Sequence, residues 1–320
     1  MRPARLFVSI VAAVLTLTLG FSPPAHAAYY NKYKTIALTP DTHGTTASQA
    51  FAATANYFYS IKINKNNKRA VIYRISKDGK KTQKMTNLNT DKKFITKLHH
   101  ANDMTVAKID GKRYFFVVTM AGKGGYQLIK LRVQGDGYRK VASYKLRYNG
   151  EPKGVSGIDR VKVVGSKVTF IFKSGRKGGS GAKNGSVTYT AEVSDSLRSK
   201  STIKLTKAFR LKTAGAKVDG KEVNLAGFNN QSVYYDAGRQ TLYYPMTRKN
   251  VSIVLVYRNV TPHTRGTRTP DPKLSFRITS RNYKQFEIEG VGFSGKHLYF
   301  NTNRSRNLDG IHMFKNYERK

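Results

Sequence analysis

The 320-residue sequence has no cysteine, no tryptophan and only 18 acidic residues. Without cysteine there is no disulfide framework, no thiolate zinc site, no cysteine nucleophile and no lipid-bearing cysteine behind an export signal. A folded form must therefore be held by its core alone. Long apolar runs are nearly absent. The single one, residues 6–19, is interrupted by Ser9, Thr16 and Thr18 and is shorter than the roughly 20 residues that cross a bilayer. No amphipathic helix of useful length is legible; only residues 45–56 could pass as one, and they align with a strand start elsewhere. Catalytic signatures are missing too. There is no Gly-x-Ser-x-Gly elbow and no His-Glu-x-x-His, and the glycine-rich run beginning at Gly175 lacks the Gly-Lys-Ser/Thr ending of a phosphate loop. It reads as a flexible basic surface loop.

What is present begins at the N-terminus. Arg2 and Arg5 precede the apolar run, Gly20, Pro23 and Pro24 break it, and Ala25-His26-Ala27 offers the small residues a signal peptidase accepts. Residues 1–27 are expected to be a signal peptide and 28–320 a single mature domain, secreted and extracellular or cell-wall associated. An exported chain without cysteine fits a Gram-positive-type cell.

Charge is the strongest compositional signal. Lys and Arg number 58, giving a net charge of +40. Such a field attracts polyanions, so the expected partner is an anionic cell-wall polymer or glycan, with membrane-surface or extracellular nucleic acid contact also open by charge. Many basic residues interleave with tyrosine, as in Tyr144-Lys145-Leu146-Arg147-Tyr148, a pattern that holds phosphates and stacks on bases or sugars. No nucleic-acid motif accompanies it. The apolar fraction of 39% is too high for a disordered basic tail.

Short segments rich in Val, Ile, Tyr and Phe recur along the chain, bounded by Gly, Asn, Asp or Lys. They group into five repeats with a common layout: a polar signature, then a strand, a turn, and further strands. Beginning at Ser48, Asn102, Ser156, Gln231 and Glu289, the repeats are spaced 54, 54, 75 and 58 residues apart. Repeats of this length with several strands each mark propeller blades. The long interval accommodates the 175–185 loop and an insert at 212–224. The last repeat is one strand short, and residues 34–38 can supply it. The expected fold is thus all-β, a five-bladed β-propeller closed by an N-terminal strand joining the last blade; the alternative is a β-sandwich pair.

In a propeller the inner strand of each blade lines the channel, so residues at the inner-strand starts gather at one mouth. This nominates Gln49, His100, Asn102, Asp103, Asp159, Gln231 and Glu289 as ligand-binding residues, with Ser156, Glu287 and His99 nearby. Neighbouring residues on a strand face opposite ways, so His99 and His100 do not share a metal; one of them with Asp103 and Glu289 is the only metal set worth considering. No cofactor is called for and no metal is assigned. Polar residues at crowded strand starts also serve simply to satisfy backbone groups.

Two stretches carry a family likeness. His100-Ala101-Asn102-Asp103-Met104-Thr105, leading into 113–120, and Phe286-Glu287-Ile288-Glu289-Gly290-Val291, leading into 296–300, resemble blade motifs of secreted Gram-positive propellers, among named families the helveticin-J-like bacteriocins. The resemblance implies a propeller and an antibacterial or wall-associated protein, and it transfers no catalytic residue. The functional expectation is a non-enzymatic, strongly cationic protein that binds anionic cell-envelope polymers or glycans, with bacteriocin-like killing as one outcome. The alternatives are a glycan hydrolase or lyase using Asp103, Asp159 or Glu289 at the channel mouth, and an adhesin for host glycans or extracellular DNA.

Overall fold

The computed structural model describes residues 33–318 apart from 123, 175–184, 219, 280–284 and 305–306. The signal-peptide assignment and nearly all of the glycine-rich loop lie outside the described residues. Within them the chain is all-β, without a helix, and the sheets form a β-propeller arrangement.

Each sheet is an antiparallel meander whose turns follow from local chemistry. The hairpin joining Tyr57–Asn64 to Arg69–Ser76 turns at Asn67, which adopts φ 58°. Asn64 Oδ1 accepts from the Lys68 and Arg69 amides, both at 2.9 Å, satisfying donors the turn would otherwise strand. In chain order, sheet one runs Thr45–Ala53, Tyr57–Asn64, Arg69–Ser76 and Thr82–Lys84. Sheet two runs Asp103–Ile109, Lys112–Val118, Leu128–Gln134 and Gly137–Tyr148. Sheet three runs Val155–Val164, Lys167–Ser174, Ser186–Ser194 and Thr206–Leu211.

Sheet four has an interrupted inner strand, Asn229–Asn230 and Tyr234–Asp236, followed by Thr241–Arg248, Val251–Tyr257 and Phe276–Thr279. Sheet five comprises Glu287–Ser294, His297–Asn303 and Gly310–Glu318, and the N-terminal strand Tyr33–Leu38 pairs antiparallel with the last of these. The insert at 212–224 forms a small ribbon, Lys217–Val218 with Lys221–Glu222. Of residues 45–56, which could have passed as a helix by sequence, Thr45–Ala53 is strand, because its apolar side chains pack on both faces of an inner strand rather than along one stripe.

The middle strands are buried on both faces, as in Tyr57–Asn64 and Thr241–Arg248. This happens because the sheets pack face to face through apolar side chains. Tyr59 packs on Phe115 at 4.8 Å between sheets one and two, and Phe116 on Phe170 at 4.6 Å between two and three. Ile171 joins Leu242 and Tyr244 between three and four, and Tyr243 meets Phe293 at 5.6 Å between four and five. Phe58 lies 4.5 Å from Tyr299, between sheets one and five. These aromatic layers supply the apolar burial that a chain without disulfides depends on.

Near the axis the inner strands approach so closely that glycine is required. A Cβ on Gly157 would come within 2.9 Å of Val233 Cγ1, and one on Gly290 within 2.8 Å of Phe51 Cβ. Lys62, fully buried in sheet one, ties the two chain ends together. Its Nζ donates to the Thr39 carbonyl at 2.9 Å and pairs with Asp41 at 2.5 Å and Asp309 at 3.1 Å.

Candidate functional site at one channel mouth

The inner strands share an irregularity at one end, and it places the polar residues. In sheet one Ser48 faces Lys62 but Phe51 faces Ser60, so one residue is extra around Gln49. In sheet three Val155 faces Ser174 and Gly157 faces Lys173, leaving Ser156 extra. In sheet five Ile288 faces Thr302 and Gly290 faces Asn301, leaving Glu289 extra. Sheet four gains a residue between Asn230 and Tyr234. Such bulges interrupt the ladder and re-aim a side chain. Sheet two reaches the same level differently: Lys97, His99 and Ala101, all non-glycine, take φ of 66°, 51° and 45°, a sparsely populated conformation that concentrates at functional sites.

These devices enclose a cavity of about 570 Å³ at the N-terminal ends of the inner strands. Gln49, His100, Asn102, Gln231 and Glu289 line it, together with Ser156 and Glu287. Asn229, Asn230 and Asn303 also line it and were not anticipated. Asn303 enters from the second strand of its sheet, opposite Glu287, a position that a search confined to inner-strand starts does not reach. His99 is exposed and is not among the lining residues.

Asp103 and Asp159 are not part of this group. Asp103, 2% exposed, accepts from the backbone amides of Met104, Ile158 and Val233 at 2.8, 2.9 and 3.0 Å. Asp159 accepts from Thr105 Oγ1 and from the amides of Tyr235 and Arg160, and it lines a cavity of about 540 Å³ at the opposite ends of the inner strands. Both carboxylates satisfy backbone donors freed by the irregular strands and lock three inner strands together. Among the described residues no group of three His, Cys, Asp or Glu side chains is arranged to hold a metal, so His100, Asp103 and Glu289 do not form a set.

Glu287 and Glu289 do converge. Glu287 Oε1 accepts from Gln231 Nε2 at 2.5 Å, and Oε2 from Asn303 Nδ2 at 3.2 Å and Gln285 Nε2 at 3.0 Å. Glu289 is 2% exposed. Burial, followed by the neighbouring Glu287 charge, pushes its carboxyl well above the usual range, and it shares a hydrogen bond with Glu287. Burial raises the Glu287 carboxyl as well, with its three amide partners opposing, so the pair favours retention of a proton and Glu289 is the more strongly raised of the two. Burial lowers the pKa of His100, which favours its neutral imidazole.

No family model matches the chain, and no curated protein matches it. Solved structures with a similar arrangement include a family-43 β-xylosidase/α-arabinofuranosidase from a compost microbial metagenome, 11% identical, covering 88% of this chain and 94% of that one, with a TM-score of 0.44. An α-L-arabinanase of Penicillium chrysogenum is 9% identical, with 90% and 99% covered and a TM-score of 0.41. A family-43 enzyme of Xanthomonas citri complexed with xylotriose is 11% identical, with 86% and 89% covered and a TM-score of 0.46.

The expected non-enzymatic, cationic binder of envelope polymers is corrected here. The similar solved proteins are glycoside hydrolases. The mouth, moreover, sets two buried carboxyls with raised pKa values against each other, an arrangement that electrostatic adhesion does not require.

Proposed function

We propose that the chain is an exported glycan-cleaving enzyme, a hydrolase that works at this channel mouth. The observation that carries the proposal is the convergence of the buried Glu289, its pKa raised, with Glu287 in a cavity walled by side-chain amides. Amides and carboxyls match the hydroxyl groups of a sugar. Glu289 is the acid that protonates the leaving oxygen. His100, which lines the same cavity, takes the proton of the attacking water.

The two carboxyls touch, so they are not the separated pair, roughly 5–10 Å apart, that flanks the scissile bond in most glycosidases. They act as one proton-holding unit, and the second role falls to His100. The net charge of +40 favours an acidic glycan, such as a cell-wall polymer, met outside the cell after cleavage following Ala27. The scaffold in this proposal is a five-bladed ring spanning 28–320, its last blade completed by the N-terminal strand. Support comes from the Tyr33–Leu38 pairing with Gly310–Glu318 and from the Phe58–Tyr299 contact between sheets one and five.

The test is incubation of the purified chain with neutral and acidic polysaccharides, reading new reducing ends and, separately, absorbance of unsaturated uronates. Reducing ends that vanish in Glu289→Gln support the hydrolase. Unsaturated products would make it a lyase instead. No cleavage of any polysaccharide by the folded protein would overturn the proposal.

A further inference from the structure

A second reactive pair lies at the same cavity, with Ser156 in its lining and the buried Lys173 behind it. Ser156 Oγ lies 2.7 Å from Lys173 Nζ. The bulge at Ser156 creates this contact, because Gly157 takes the position opposite Lys173 and the extra serine turns toward the lysine. Lys173 is fully buried, yet among the described residues it makes no ion pair within 4.0 Å. Its Nζ has Asn230 Oδ1 at 2.5 Å and the Tyr244 ring at 5.1 Å. Asp103 is the charge that acts on it, and backbone amides already engage that carboxylate. Burial lowers the lysine pKa to about 7, with Asp103 opposing.

A buried cation without a counter-ion is costly, and an apolar side chain of similar length would fill the space without that cost. The amine is therefore better explained by chemistry than by packing. A second observation points to a ligand. Gln49 Oε1, on a residue 4% exposed that lines the same cavity, has no hydrogen-bond partner among the described residues.

We propose that Ser156 and Lys173 form a nucleophile–base pair that hydrolyses carboxylic esters carried by a hydroxyl-rich molecule seated in the mouth. Lys173, as the free amine, takes the Ser156 proton while Oγ bonds to the acyl carbon and the carbonyl π pair moves onto its oxygen. Collapse of that intermediate breaks the ester C–O bond, and the departing alkoxide leaves with the proton from the Lys173 ammonium. Water, deprotonated by the same amine, then attacks the acylated Ser156, releases a carboxylic acid and restores the hydroxyl. No cofactor is needed, and a Ser–Lys pair is an accepted variant of the serine nucleophile. The walls of Asn102, Asn229, Asn230 and Gln231 suit an acylated sugar or similar polyol. This activity does not depend on the cleavage of glycosidic bonds.

The test uses the full mature chain with an alkyl fluorophosphonate, the adduct being mapped by peptide mass spectrometry, and with p-nitrophenyl acetate. We expect one adduct, on Ser156, forming faster as pH rises through about 7 as Lys173 loses its proton. Ser156→Ala removes the adduct, and Lys173→Met slows labelling at least 100-fold in protein with an unchanged melting profile. A folded protein without an adduct on Ser156, or a folded Lys173→Met that labels at the wild-type rate, would overturn the proposal. If Lys173→Met fails to fold, the adduct map and its loss in Ser156→Ala decide. Acyl release without new reducing ends keeps this proposal alive even if glycan cleavage fails.

Discussion

Gln231 Nε2 donates to Glu287 Oε1 at 2.5 Å, joining the inner strands of sheets four and five at the channel mouth. With Asn303 and Gln285 on the other oxygen, this bond favours the ionised form of Glu287. Glu289 has only Asn303 lowering its pKa, against its own burial and the Glu287 charge. A proton shared by the pair therefore favours Glu289. Replacing it with Gln preserves shape and removes the transferable proton. We expect glycan cleavage by Glu289→Gln to fall by about 10²–10⁴-fold, the usual contribution of a general acid, with the thermal unfolding profile kept. Loss of Gln231 as donor, in Gln231→Leu, raises the Glu287 pKa further, which titration of its carboxyl carbon by NMR checks.

The same carboxyl sets a pH dependence of stability. Its folded pKa lies above the reference value of 4.5, so the stabilisation is fully present below about pH 4.5 and is lost as pH rises through the folded value. Glu287, Asp103 and Asp309 shift in the same direction. Stability of the wild type is expected to decline from this source as pH increases toward neutrality. Glu289→Gln removes one contributor, so its melting temperature should fall less over that window at constant ionic strength. A parallel pair of curves would show that Glu289 is not held protonated.

How much of this was legible depended on whether a feature is local. Ser156 and Glu289 were visible as repeat starts because each opens a polar signature that leads into an apolar strand; the bulge there and the close approach that requires the following glycine show only in the structure. The strand character of residues 34–38 was visible in its apolar pattern, and it pairs with Gly310–Glu318. What separates Asp103 from Glu289 was hidden. Both are carboxyls at inner-strand starts, but only Asp103 meets unpaired amides, those of Ile158 and Val233, 55 and 130 residues away. Asn303 and Lys173 were missed because they belong to second strands and reach the mouth only through pairing across the sheet. Charge, the strongest sequence signal, is spread over the strands and turns and says little about the chemistry at the mouth.

That distinction is testable at Asp103. Removing its carboxylate in Asp103→Ala strands the Met104, Ile158 and Val233 amides in the interior, each costing about 1–3 kcal/mol when unsatisfied. We expect destabilisation of about 3 kcal/mol or more in urea unfolding. Any activity lost should track the folded fraction, so kcat per folded molecule stays near wild type. A stable variant with an abolished kcat would reassign Asp103 to the reaction.

Lys62 offers the corresponding test of closure. It is fully buried and bridges Asp41, just beyond the N-terminal strand, to Asp309, just before the strand with which the N-terminal one pairs. Lys62→Met leaves the buried Asp309 carboxylate with the Arg304 amide but no cation, and breaking a buried pair from one side costs about 3–5 kcal/mol. Neutralising both partners as well, in Lys62→Met/Asp41→Asn/Asp309→Asn, should recover much of that loss. Amide exchange of Tyr33–Leu38 is expected to accelerate in the single variant more than that of Tyr57–Asn64, because the lysine pins the segment that follows the first strand. Equal acceleration in both strands would mean that Lys62 supports sheet one as a whole and not the join between the chain ends.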